Sequence, residues 1–194
     1  MKAYSTILFV LIAAFAMAQG SWTLKSSKFT VSGTSSLHDW TSDVTTVEGS
    51  GELTVEAGVL KSVSGVKVKI PVKGIKSPKG SIMDGKTYDA LKHKTNPNIT
   101  YQLTTVKGIT KSGNGFALQT TGNLTIAGVT KPVDMTVNAK AAAGGAFEFS
   151  GEKQIKMTTY NMEPPTAMFG SIKTGDDVTI RFTVTLTPNA TSSK

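Results

Sequence analysis

Residues 178–187 read VTIRFTVTLT. Val178, Ile180, Phe182, Val184 and Leu186 fall on one side of this run, and Thr179, Arg181, Thr183, Thr185 and Thr187 on the other. Successive side chains of a β-strand point to opposite faces, so ten residues of unbroken alternation predict a long strand with one apolar and one polar face. The same period recurs in VKVKIPVK, where Val66, Val68, Ile70 and Val72 oppose Lys67, Lys69 and Lys73, and again where Val133, Met135 and Val137 oppose Asp134, Thr136 and Asn138.

GELTVEAG, ITYQLTTVKG, GFALQTTGNLTIAG and GAFEFSGEKQIKM are looser versions rich in threonine, valine and aromatics, and SGNG, AGVTKP, AAAGG and KTGDD punctuate them as turns. Regular strands with glycine punctuation predict an antiparallel all-β fold. Strands of about ten residues favour a tilted, closed barrel over a sandwich of short strands. One segment departs from the period: SPKGSIMDGKTYDALKHKTNP places Met83, Thr87, Ala90 and Leu91 at helical spacing, and predicts one short helix at about 81–93 with Ser81 as its cap.

The chain has 194 residues, the size of one domain. Its first residues, MKAYSTILFVLIAAFAMAQG, combine a basic start, an apolar run from Ile7 to Phe15 and the small-x-small Ala16-Met17-Ala18. This predicts a signal peptide over 1–18, a folded domain over 19–188 and a flexible tail over 189–194. The destination predicted is the periplasm or the exterior. With no cysteine in the chain, stability rests on the core and the backbone ladders, without disulfides. The formal charge is +8, lowered by one when the leader's lysine is removed. The positive groups are nearly all lysines, dispersed among valine and threonine, which argues for a solvated outer face rather than a nucleic-acid stripe, while leaving transient contact with a membrane surface open.

SSLHDW, residues 35–40, gathers a serine, a histidine and an aspartate. In an extended chain His38 and Asp39 point apart, and no Gly-x-Ser-x-Gly elbow is present to present a nucleophile, so a catalytic triad is not expected. Only His93 accompanies His38, without the spacing of a metal site, so no metal is assigned. His38 reads either as a hydrogen-bonded residue at a strand end or, with Trp40, as part of the mouth of an apolar cavity.

LTIAGVTKPVDMTV (124–137) together with TYDALKHKTNPNITYQL (87–103) resembles the YceI-like family of secreted polyisoprenoid-binding proteins, and GTSSLHDW with EPPTAMFGSIKTGDDVTIRF resembles a branch of it that carries HDW. The resemblance runs from about Phe29 to Leu186. It implies a lipocalin-like antiparallel barrel that holds a polyprenyl phosphate, a quinone or a similar apolar lipid, with no other cofactor and no catalysis. Alternation supplies the inward side chains that would line such an interior: Trp40, Val55, Val68, Ile70, Leu103, Leu118, Leu124, Ile126, Met135, Val137, Ile180, Phe182 and Val184. His38, Met168 and Phe169 are expected at the cavity mouth. Two rivals stand beside this reading: a solid-core stress or surface-interaction protein, and a hydrolase using His38. Monomer and dimer are both compatible with the sequence.

Overall fold

The computed structural model describes residues 18–189, so the predicted leader before Ala18 and the last five residues of the predicted tail lie outside the described residues. Asn189 itself is tied down: its backbone N–H donates to the Ser21 carbonyl, and its side-chain amide bridges Ser21 and Thr23.

The elements in order are β1 (Ala18–Ser35), β2 (Trp40–Val44), β3 (Glu48–Glu56), β4 (Val59–Pro71), β5 (Ile75–Lys76), α1 (Ser81–Ala90), β6 (Asn98–Ser112), β7 (Gly115–Ile126), β8 (Val129–Ala141), β9 (Phe147–Lys156), β10 (Thr166–Ala167) and β11 (Ile172–Pro188). All pairings are antiparallel, and β1, β3, β4, β6, β7, β8, β9 and β11 form an eight-stranded ring in which β11 returns to pair with β1. The predicted lipocalin-like closed barrel is the fold. The opening decapeptide is the second half of β11, and its apolar face points inward beside β1, where Phe29 and Phe182 are register partners with stacked rings 5.6 Å apart.

The apolar interior forms two clusters. One, at the end of the hairpin turns, packs Trp22, Leu53, Leu60, Leu118, Phe147, Phe149 and Leu186, with Trp22 meeting Phe147 edge to face. The other holds Phe29, Val44, Val72, Ile75, Leu91, Leu124, Ile126, Val133, Met157, Tyr160, Met162 and Val178 beneath α1. Cross-strand ion pairs such as Lys69–Glu48 at 2.8 Å and Arg181–Glu152 at 2.6 Å sit on the outer face, where the polar half of the alternation put them.

The wall is not zipped along its full length. β4 and β6 pair only from Pro71↔Asn98 to Lys67↔Gln102 and then part. Both strands carry extra residues relative to their other neighbours just beyond that point. Register shifts on β4 fall near Gly65 and Lys61, and on β6 at Thr104 and Lys107. Gly65 adopts φ +61°, the left-handed conformation a bulge of this kind requires. Bulges bend and twist a strand away from its partner, which accounts for the parting.

α1 is shorter than its sequence pattern. It spans Ser81–Ala90, with Gly80 rather than Ser81 in the capping position and Lys92 at φ +52° just past its end. A left-handed residue there ends the helical repeat before His93. In place of a cap, the buried Asp84 carboxylate accepts from the Ser77 N–H at 2.7 Å and from Lys76 Nζ at 3.2 Å. Those two donors, the backbone one first, hold its carboxyl below the usual carboxylate value.

A folded-state pKa below the unfolded one stabilises the protein above the ordinary value of 3.8 and ceases to do so as pH falls through the folded value. Asp84→Ala should therefore lower the melting temperature at neutral pH, with the gap to wild type narrowing as pH drops well below 3.8. A gap of constant size across that range would refute the assignment.

Candidate functional site

A cavity of about 310 Å³ runs inside the barrel. This is larger than the cavity of about 150 Å³ that stays dry and takes up benzene in an engineered core. Its floor is Leu118, Phe149 and Leu186 of the hairpin-end cluster. Its walls are the inward faces of the strands, and at the opposite end Met83, Lys86, Thr87 and Ala90 of α1 stand beside Pro165, Thr174 and Trp40.

Each of the side chains assigned inward from the alternation lines this cavity except Val55. Val55 instead packs on the hairpin-end cluster, opposite Ala18 and Leu60, because β3 reaches past the cavity floor there. Three glycines let large rings lie across the inner wall. A Cβ at Gly122 would clash with the Tyr101 ring, one at Gly151 would come within 2.7 Å of Phe182, and one at Gly33 within 2.6 Å of the Trp40 indole. Trp40 is further held by its Nε1–H, which donates to the Thr34 carbonyl at 3.0 Å.

Few polar atoms reach this space. Ser42 and Thr120 are buried in the wall, and the Thr120 hydroxyl is committed to the Met135 carbonyl at 3.0 Å. Burial raises the Tyr101 hydroxyl above its ordinary pKa, with the neighbouring Thr120 opposing the effect. Tyr101 therefore stays neutral, and the charged side chains that touch the cavity are the lysines Lys67, Lys86 and Lys153.

The predicted mouth residues do not line the cavity. His38 is exposed at the tip of the β1–β2 loop, where its Nδ1 lies 2.9 Å from its neighbour's carbonyl, that of Asp39. The loop is a serine turn: Ser35 Oγ accepts from the Leu37 and His38 N–H groups and donates to the His38 carbonyl, and Ser36 Oγ accepts from the Lys173 N–H. The serines of SSLHDW thus shape a hairpin, and neither hydrogen-bonds the imidazole. Met168 and Phe169 stand outside the cavity at the tip of the β10–β11 hairpin, because the chain turns back through left-handed residues there and carries both side chains outward.

The entrance belongs instead to residues that alternation does not reach. Met162, from the same apolar loop as Met168, is buried and lines the cavity together with Met157, Leu91 and Met83. These lie in α1 and in loops, where no period of two marks which side is inward. Lys86 crosses the entrance to donate to the Thr166 carbonyl at 2.7 Å, and Lys92 donates to the Asn161 carbonyl at 2.8 Å. These two lysines tie α1 and the turn after it to the 157–167 segment. Where β4 and β6 part, a second space lies between Lys61–Gly65 and Leu103–Ile109, and it shares Val63 and Leu103 with the main cavity.

Comparison with known proteins places this geometry. No curated protein matches the chain. Among solved structures, a polyisoprenoid binding domain from Saccharophagus degradans implicated in plant cell wall breakdown superimposes with a TM-score of 0.66 at 14% identity, over 87% of this chain and 98% of that one. BcnA of Burkholderia cenocepacia does so with 0.63 at 20% identity, over 83% and 96%. A YCEI protein of Campylobacter jejuni gives 0.51 at 18% identity, over 95% and 97%. At such identities these three bear on the fold alone. The model of the YceI-like domain matches residues 22–186, most of the chain, and the protein belongs to the YceI-like family.

Proposed function

We propose that the protein binds or carries a polyisoprenoid, such as a polyprenyl phosphate or a quinone-like lipid, inside the barrel and performs no catalysis. The observation that carries this reading is the cavity of about 310 Å³, whose lining is mostly apolar; of the three lysines that touch it, Lys67, Lys86 and Lys153, the last two donate to the Thr166 and Asp134 carbonyls. A ligand without a polar code would be held by apolar area withdrawn from water, worth about 2.5 kcal/mol per 100 Å² before immobilisation costs. The ligand class is supported by family membership and by the S. degradans domain, which is described as polyisoprenoid binding. The same cavity favours a carrier over a solid-core interaction protein. A chain longer than the cavity would have the cleft between β4 and β6 to enter. The leader at 1–18 supports export to the periplasm or beyond, and a lipid cargo implies transient contact with a membrane surface.

Organic extraction of the purified protein followed by mass spectrometry should yield a prenyl lipid in a reproducible ratio. Repeatedly empty extracts from protein made in its own cell would contradict the proposal.

Face assignment gives a paired test. Val137→Lys puts an unpaired charge into the cavity wall and should cost about 2–5 kcal/mol of stability together with bound lipid. Lys69→Glu faces Glu48 across β3 and β4 on the outer face and should cost under about 1 kcal/mol, with lipid retained. Equal losses in chemical denaturation would overturn the inside–outside assignment. His38→Ala should leave both stability and lipid retention at wild-type levels, and a loss of retained lipid would return His38 to the site.

A further inference from the structure

Six large apolar side chains are exposed among the described residues, and five of them, Leu37, Ile82, Met83, Met168 and Phe169, lie at the α1 end of the barrel. They come from three separate elements that the structure ties together. The β1–β2 loop carrying Leu37 is bonded to the base of the β10–β11 hairpin by the Ser36 N–H to the Lys173 carbonyl and the Lys173 N–H to Ser36 Oγ. The hairpin is bonded to α1 through Lys86 and the Thr166 carbonyl. Ile82 stands one helical turn before Lys86, on the same side of α1.

The hairpin tip is the most unusual part. Met168 and Phe169 both adopt the left-handed region, at φ +50° and φ +55°, and Phe169 is as exposed as an isolated residue, at 111%. Left-handed backbone is disfavoured for a bulky L-residue, and an exposed phenyl ring gains nothing from water. Strain and exposure together at one tip indicate that the folded protein alone does not account for this conformation.

We propose that this rim is a membrane-docking foot, in which Phe169 and Met168 insert into the interfacial layer of a lipid bilayer with Leu37, Ile82 and Met83 beside them. The inference rests on the lipid-carrier reading and specifies how the cavity meets its source. A bilayer fits better than a protein partner for two reasons on this rim. The apolar groups are separate tips around an opening, suited to insertion between headgroups rather than to a flat packed interface. Met83 is both exposed on the rim and part of the cavity lining, so apolar surface continues from the foot into the cavity. Lys79 before α1 and Lys173 at the hairpin base are exposed, as are Asp39 and Glu163, on a chain whose formal charge without the leader's lysine stays positive. Anionic headgroups would therefore strengthen docking without being its main driving force.

The test is flotation of the full folded protein with vesicles of phosphatidylethanolamine and phosphatidylglycerol, alongside binding of a dansylated farnesol in vesicle-free buffer. Wild type should float with the vesicles. Met168→Ser combined with Phe169→Ser should reduce the bound fraction about tenfold or more, since two large apolar anchors are lost. Neither residue lines the cavity, so the farnesol affinity of the variant should match wild type. Phe169→Trp gives a second readout and should show a blue-shifted, quencher-protected emission only when vesicles are present. Equal flotation of the double serine variant, or a tryptophan at position 169 that stays water-exposed on vesicles, would overturn the foot. Wild type that ignores vesicles but self-associates through this rim in sedimentation would overturn it in favour of a contact between copies. Loss of farnesol binding in wild type with flotation intact would instead count against the carrier reading and leave the foot standing.

Discussion

The seam between β1 and β11 is the constraint on which the rest depends. These are the two longest strands, of 18 and 17 residues, and their register runs from Trp22↔Pro188 to Ser35↔Thr174. Closing that seam converts a sheet with one apolar face into a tube with an apolar interior and removes two exposed edges. Every inward valine and leucine of the other strands acquires its role from that closure. Phe29 stacked on Phe182 sits at the middle of the seam, so packing and backbone ladder hold it at the same place.

Closure leaves the question of what fills the tube. At the hairpin end it is filled by Trp22, Phe147, Phe149 and their neighbours, which forms a solid floor. Toward α1 the wall residues are mostly of medium size, and the large rings of Tyr101, Trp40 and Phe182 are laid flat against glycines instead of projecting into the lumen. Space therefore remains in the upper part of the barrel. The bulges that part β4 from β6 leave a second space that shares Val63 and Leu103 with the first, and they do so by residue count alone, independent of what the tube contains.

The alternation of period two made the barrel and its inner face legible, because a strand's geometry forces its side chains into two sets. Val178–Leu186 is the plainest instance. The rule failed for Val55, which faces inward as expected but at a height where the tube is already solid; sequence period reports direction and not depth. It was silent on Met83, Leu91 and Met157, which belong to a helix or irregular turns. Met168 and Phe169 were legible as unusual apolar residues in a polar loop, but the outward turn that separates them from Met162 comes from left-handed backbone at non-glycine residues, for which the sequence carries no signal. SSLHDW, from which strand geometry predicts no triad, forms a turn that Ser35 Oγ closes by accepting from the His38 N–H and donating to the His38 carbonyl.

The central claim is that the space beneath α1 is a ligand site and not a packing defect. Methionine methyl groups report on it directly, since Met83, Met135, Met157 and Met162 line the cavity and Met168 stands outside. In a carbon-13 methyl NMR titration of delipidated protein with a short prenyl alcohol, the account predicts saturable shifts at Met135, Met157 and Met162 with Met168 unmoved. Unchanged cavity methyls, or shifts confined to Met168, would contradict it.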